Sequence, residues 1–418
     1  MKVRINGILA ALMAAAVSVS GAYAQDPIAS VLQHNLGAEW SDGFDAGSVG
    51  AQDVRTSVPT MSPQIVASLQ GAIARYSDIV ARGGWPTIPA EKILRVGVSD
   101  PAVATLRQRL AISGDLPPAP GYAESFDSYV EAAVKRFQAR HGIVADGIVG
   151  QSTYDALNIP ATIRLNQLAT NLTRLKMLTS SLPDRFVMVN VPAASIEAVE
   201  NGQVALRSAA IVGKIDRQTP LLNSRIYEIN FNPFWTVPKS IIRKDLIPLM
   251  REHPDYLAEQ RIRIFTHQGD ELMPEQVDWS TDEAVNYMFR QDPGDFNSLG
   301  QVRINFHNTH AVYMHDTPNK GLFREETRFF SSGCVRVQNV RDLIAWLAQS
   351  NDGVDRSTVD YMYRTGERVD LKLEQQVPVY FAYITAWAVT DGVVQFRNDI
   401  YNLDGLEQYS EAQTIREL

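Results

Sequence analysis

Cys334 is the only cysteine in the 418 residues, and His315 stands 19 positions before it. A thiol attacks as its thiolate, so it needs a base or a cation beside it. Imidazole is the natural partner near neutral pH. The cysteine sits in Ser331-Ser332-Gly333-Cys334-Val335-Arg336, ahead of a helical pattern. Gly333 permits the sharp backbone path that a nucleophile loop needs. The backbone N–H groups of Gly333 and Cys334 are candidates for an oxyanion hole. The chemistry this predicts is attack by a base-assisted thiol on a carbonyl substrate. His307 and His310 lie close to His315, but the three do not form a His-Glu-x-x-His pattern. The reading therefore calls for no metal and no cofactor.

The start of the chain says where this thiol would work. Lys2 and Arg4 precede an apolar run from Ile8 to about Val19, and Ala22-Tyr23-Ala24 follows. That is the layout of a secretory signal peptide over 1–24, with the mature chain beginning at Gln25. In an oxidising compartment thiols pair or react, and a single cysteine has no internal partner. The formal net charge is −8. Losing Lys2 and Arg4 makes it more negative, which removes any electrostatic reason to expect nucleic acid as a partner.

The elements that must position the site can be read from periodicity. Residues 25–60 are polar and read as a flexible lead-in. Residues 63–81 place Ile65, Leu69, Ile73 and Tyr76 at helical spacing, and Gly83-Gly84-Trp85-Pro86 ends the helix. Residues 95–160 read as three short helices with a glycine-punctuated turn at 142–150. Leu165, Leu168, Leu172, Leu175 and Leu178 mark a linking helix over 161–181. From Arg185 short β-prone runs take over, at 186–191, 209–213, 226–231, 302–306 and 311–314. A charged, helical stretch at 239–290 interrupts them with the length of a lid. A helix follows over 340–349, and a closing hairpin over 377–396 turns at Asp391-Gly392. The fold class expected is α+β and multidomain. A mainly β catalytic domain at 185–405 carries the helical insertion at about 239–290. A three-helix domain covers 95–160, helical scaffold segments cover 61–94 and 161–184, and a tail covers 406–418.

Several phrases resemble known families. FQARHGI and DGIVGQSTYDAL, inside 95–160, resemble the peptidoglycan-binding domain of bacterial wall enzymes. His315 together with Ser332, Gly333, Cys334 and Arg336 resembles the signature of the L,D-transpeptidase catalytic domain of the YkuD type. Arg290-Gln291-Asp292-Pro293-Gly294 with Asn297, Leu299 and Gly300, and Phe234-Trp235-Thr236-Val237-Pro238, resemble further stretches of that family. The resemblance points to its large, multidomain Gram-negative subgroup.

The resemblance implies a periplasmic enzyme. Cys334 would attack the carbonyl between the third stem residue and the terminal D-alanine of a tetrapeptide donor. His315 would take the thiol proton and return it to the leaving amine. A stem amine would then accept the acyl group, giving a 3→3 cross-link. Asp316 stands where some members carry glycine, and its carbonyl is expected to orient the imidazole. Arg336 would support the loop or hold a substrate carboxylate, and Tyr313 and Trp235 would wall the pocket. Carbapenems would acylate the same thiol. Water or an envelope protein as acceptor would make the same site an L,D-carboxypeptidase or a protein–wall tether. A non-catalytic peptidoglycan-binding protein is the reading from another class.

Overall fold

Ser62 and Pro63 start the first helix. The Ser62 hydroxyl accepts the Ile65 N–H at 3.3 Å, and proline occupies the first turn, where its missing N–H costs nothing. This helix, α1 (Pro63–Ala81), buries Ile65, Leu69, Ala72 and Tyr76. The computed structural model describes residues 56–389 and 391–405. The expected signal segment, nearly all of the lead-in and the tail lie outside the described residues. The last lead-in residues are not loose: Thr60 binds the Glu197 carboxylate at 2.8 and 3.0 Å through its N–H and hydroxyl.

The small helical domain comprises α2 (Pro101–Ser113), α3 (Ser128–Arg140) and α4 (Gln151–Leu157). Val103, Leu106, Leu110, Val130, Val134 and Phe137 fill its core. Buried cations seat it on the scaffold. The Arg109 guanidinium stacks 3.6 Å from the Trp85 ring, and Arg140 reaches the Val394 carbonyl at 3.4 Å while gripping Asp115 of its own domain through two bonds of 2.7 and 2.6 Å. Helix α5 (Ala161–Leu178) packs on α1, and together they cover Phe186, Met188, Trp387 and Phe396.

The domain that begins at Arg185 is built on one nine-stranded sheet. Its members are β1 (Arg185–Asn190), β2 (Ser195–Glu200), β3 (Gln203–Gly213), β4 (Leu222–Phe231), β9 (Val302–Phe306), β10 (Met314–His315), β11 (Phe329–Ser331), β12 (Val335–Val337) and β13 (Val369–Ala382). The order is β11-β3-β12-β10-β9-β4-β13-β1-β2, and β2 also pairs with β3, so the sheet closes on itself. Side chains alternate between the two faces of a strand. Ile226, Ile304, Met314, Val335, Val337 and Val379 point inward. There they meet Leu343, Ile344 and Leu347 of α6 (Val340–Leu347) and Val359 of α7 (Arg356–Thr365). The intervening residues, including Arg303, Asn305, Tyr313, His315, Cys334 and Arg336, therefore belong to the outward face. Bulges in the β4–β9 and β4–β13 ladders shift this alternation locally.

Two expectations need correcting. The insertion is not only helical. It holds a four-stranded sheet of β5 (Trp235–Thr236), β6 (Ile262–Phe265), β7 (Glu271–Leu272) and β8 (Met288–Gln291), in the order β5-β8-β6-β7. It also has its own core around Leu246, Ile264, Val285 and Phe289. Strands of two to four residues are too short to show an alternating pattern. The closing hairpin is also shorter than expected. Residues 377–382 belong to β13, which runs through the main sheet parallel to β1. The hairpin proper is β14 (Ala386–Ala388) with β15 (Val394–Phe396).

Candidate active site

β10 and β12 run parallel, with Met314 opposite Val335 and His315 opposite Arg336. One step earlier, the Val335 N–H donates to the Tyr313 carbonyl at 3.1 Å. Tyr313 therefore lies beside Cys334, and His315 lies one turn of the pleat further along the same face. The Tyr313 and His315 rings meet edge to face at 5.7 Å. The backbone N–H and hydroxyl of Tyr313 both face the sulfur, and the Trp235 indole reaches the same hydroxyl. Trp235 thus stands against Tyr313. Tyr313 is more than a wall, because its donors favour a negative sulfur.

The loop carrying the sulfur is pinned at each polar atom of Gly333. Its N–H donates to Ser331 Oγ at 3.1 Å, and its carbonyl accepts the Thr219 hydroxyl at 2.9 Å. Gly333 has φ +112°, where a side chain is strained. The buried Ser331 also donates to the Cys334 carbonyl at 2.5 Å. This corrects two expectations. The Gly333 N–H is occupied and cannot serve an oxyanion hole, whereas the Cys334 N–H donates to no protein atom among the described residues. The bracing serine is Ser331. The spacing Ser-x-Gly-Cys was the signal for it, because two residues separate it from Cys334. Ser332 is exposed, and its hydroxyl accepts Arg217 Nη1 at 2.9 Å. The same guanidinium grips Asp245 of the insertion at 2.5 and 2.8 Å. One cation therefore ties the insertion to the loop that carries Cys334.

His315 is buried, at 4% exposure. Its Nδ1 has no hydrogen-bond partner of good geometry among the described residues. The carbonyls of Asp316 and Leu299 lie close enough to favour a positive ring, as does the Asp316 carboxylate. Burial outweighs them, with Arg336 adding repulsion, and the imidazole falls to about 3. Asp316 is fixed in turn. Its carboxylate accepts the Gln301 N–H at 3.2 Å and the Tyr363 hydroxyl at 2.8 Å, and pairs with Lys320. Gly300 makes room for it: a Cβ there would sit 2.6 Å from Asp316 Oδ2. Asn297 shapes the strap that delivers Leu299 and Gly300, binding the Pro233 and Asp292 carbonyls at 3.1 and 2.9 Å.

Burial also drives the thiol up, to about 11, against the Tyr313 donors and the positive charges of Arg336 and Arg303. The residue keeps a partly accessible edge. With the thiol near 11 and the imidazole near 3, the resting pair is neutral at physiological pH. The Nε of Arg336 is buried without a partner among the described residues, and nothing in the loop claims it. The arrangement presents a sulfur, a neutral imidazole on the same face, one free N–H donor at Cys334 and a guanidinium whose Nε has no partner among the described residues.

The closed sheet thus carries a histidine on one strand and a cysteine immediately before the parallel neighbour of that strand, a pairing that can support thiol chemistry. Residues 184–370 match the family model of the L,D-transpeptidase catalytic domain (YkuD), and residues 99–157 match one described as "Putative peptidoglycan binding domain". Over this catalytic domain the chain is similar to the L,D-transpeptidase family. It is 33% identical over 241 residues to a Haemophilus influenzae protein named "Putative L,D-transpeptidase", covering 57% of this chain and 48% of that relative. The chain thus matches about half the length of the curated relative. Among solved structures, an L,D-transpeptidase from Stackebrandtia nassauensis is 15% identical, covers 71% of this chain and 96% of that one, and has a TM-score of 0.25. The catalytic domain of an Enterococcus faecium L,D-transpeptidase acylated by ertapenem is 11% identical, covers 48% and 99%, and has a TM-score of 0.23.

Proposed function

We propose that this protein is a periplasmic L,D-transpeptidase that forms 3→3 peptidoglycan cross-links through a thioester on Cys334. The observation that carries the reading is the parallel pairing of β10 and β12, which sets His315 opposite Arg336 and brings Tyr313 beside Cys334 at the start of the same pair. In the first step the Cys334 thiol attacks the carbonyl of the third stem residue. The neutral His315 ring accepts the thiol proton, and the imidazolium formed is stabilised by the carbonyls of Leu299 and Asp316 and by the Asp316 carboxylate. A resting thiolate is not required, because proton transfer accompanies attack. The tetrahedral oxyanion is met by the N–H of Cys334 and a Tyr313 donor. His315 returns the proton to the departing D-alanine amine, and the thioester remains. An amine of a second stem attacks this thioester, passes its proton to His315 and restores the thiol.

Arg336 has the geometry to receive a stem carboxylate, since a bidentate cation suits a planar anion. A carbapenem carbonyl entering the same place would acylate the same sulfur. The test is purified mature enzyme with tetrapeptide muropeptides, analysed by mass spectrometry beside Cys334→Ala. Cross-linked dimers with release of D-alanine support the reading. Tripeptides alone would make it a carboxypeptidase, and identical products from Cys334→Ala would make it a non-catalytic wall binder.

A further inference from the structure

The outward face that holds the sulfur continues beyond it. Across the ladder, Tyr313 is followed by Asn305 on β9 and Glu228 on β4, and then by Arg225, Pro378 and Tyr380 on β4 and β13. Its near part is a polar floor. The Asn305 amide donates to Asn230 Oδ1 at 2.6 Å, and Arg303 Nε donates to the same oxygen at 3.1 Å. Its far part opens into a cavity of about 610 Å³ between these strands and the scaffold loop at 181–183. Ser181, Asn223, Arg225, His307, Pro378 and Tyr380 line it. His307 stacks flat on Tyr227, with centroids 4.4 Å apart and planes at 16°.

We infer that this cavity binds the muramyl–glucosaminyl sugars of the peptidoglycan strand whose stem reaches Cys334. The inference rests on the transpeptidase reading. Distance is the first argument. Strands lie about 4.8 Å apart and residues about 3.3 Å apart along them, which puts His307 about 12 Å and Arg225 about 16 Å from the nucleophile. The carbonyl under attack belongs to the third stem residue. Three extended residues span about 10 Å, and the lactyl ether joining them to the sugar adds a few ångströms more. The sugar therefore arrives where the polar floor gives way to the cavity.

Chemistry is the second argument. A saccharide offers C–H faces together with hydroxyl and acetamido groups. The cavity answers with flat rings (Tyr380 and the His307–Tyr227 pair) and with short polar side chains. Arg225 supplies N–H donors for the sugar hydroxyl and acetamido oxygens. The volume, about 610 Å³, lies within the range of about 300–1,000 Å³ of small-molecule sites.

The test uses the full mature chain carrying Cys334→Ala, titrated calorimetrically with disaccharide-tetrapeptide and with the bare tetrapeptide. The expected result is about tenfold tighter binding of the sugar-bearing ligand, collapsing to within about twofold in Arg225→Glu and in His307→Ala. Both residues are exposed, and an unchanged melting temperature shows that the variants are folded. Equal affinity for the two ligands overturns the inference. So does a preference that survives both variants, since the sugars would then be held elsewhere, for example by the domain at 99–157. D-alanine release by the unmodified enzyme is measured separately. Its absence alongside a cavity-dependent sugar preference would remove the transpeptidase reading and leave the sugar site standing.

Discussion

Alkylation of Cys334 should be slow at neutral pH and steepen with base. The thiol is held near 11 by burial, whereas an exposed cysteine titrates near 8.5. At pH 7 the thiolate fraction is then about 10⁻⁴, against about 3% for the exposed case, a deficit of roughly 300-fold. A more basic thiolate is also a better nucleophile, with a Brønsted coefficient of about 0.4–0.5, which returns roughly tenfold. The net expectation is iodoacetamide reacting about 20- to 30-fold more slowly than with glutathione at pH 7. The rate should rise close to tenfold per pH unit up to about pH 9.5. The protein has one cysteine, so the reaction reports on a single site. Stopped-flow absorbance at 240 nm would follow the thiolate directly. A rate that levels off below pH 8 would mean a standing thiolate–imidazolium pair, and the neutral resting state argued above would be wrong.

Other consequences are as direct. Ser331→Ala removes two hydrogen bonds from the nucleophile loop; about 2–3 kcal/mol of stability should go, together with most acylation by meropenem, read by intact mass. Gly300→Ala places a Cβ 2.6 Å from Asp316 Oδ2 at φ +61° and should lower stability by about 2–4 kcal/mol in a denaturant melt. Arg217→Ala should cost no more than about 1 kcal/mol in the melt, because Asp245 is 40% exposed and solvent screens the pair. It should still slow acylation by freeing Ser332 from the insertion, and a charge exchange with Asp245→Arg should restore part of the rate. Acid should destabilise the wild type more than His315→Gln. The buried ring titrates near 3 and the unfolded one near 6.5, so between those values the unfolded chain binds the extra proton. Stability therefore falls as pH falls through that window, by up to about 1.4 kcal/mol per unit. Chemical denaturation at pH 7, 5.5 and 4 would show the difference.

The sequence was most informative where residue type itself carries the meaning. A lone cysteine with a histidine upstream announces a chemistry, and the histidine lies on a strand whose parallel neighbour begins directly after the cysteine. Helix α1 was legible from its serine cap, its first-turn proline and its apolar spacing, and its bounds agree at Pro63 and Ala81. What escaped was what backbone atoms do. Nothing in the letters Leu299 and Gly300 says that one brings a carbonyl to His315 while the other clears space for Asp316. The Gly333 N–H looked available because its occupation by Ser331 Oγ is a matter of loop geometry. Tyr313 read as a wall since only the register sets its hydroxyl against the sulfur. The sheet inside the insertion was hidden by strands too short to show a period.

The central claim is that Cys334 carries the acyl group between donor and acceptor. Intact mass spectrometry of the enzyme mixed for seconds with a tetrapeptide stem and no acceptor tests it most directly. The account predicts a covalent adduct equal to the stem less D-alanine, mapping to Cys334 and discharged by an added stem amine. Release of D-alanine with no adduct in the wild type, undiminished in Cys334→Ala, would contradict it.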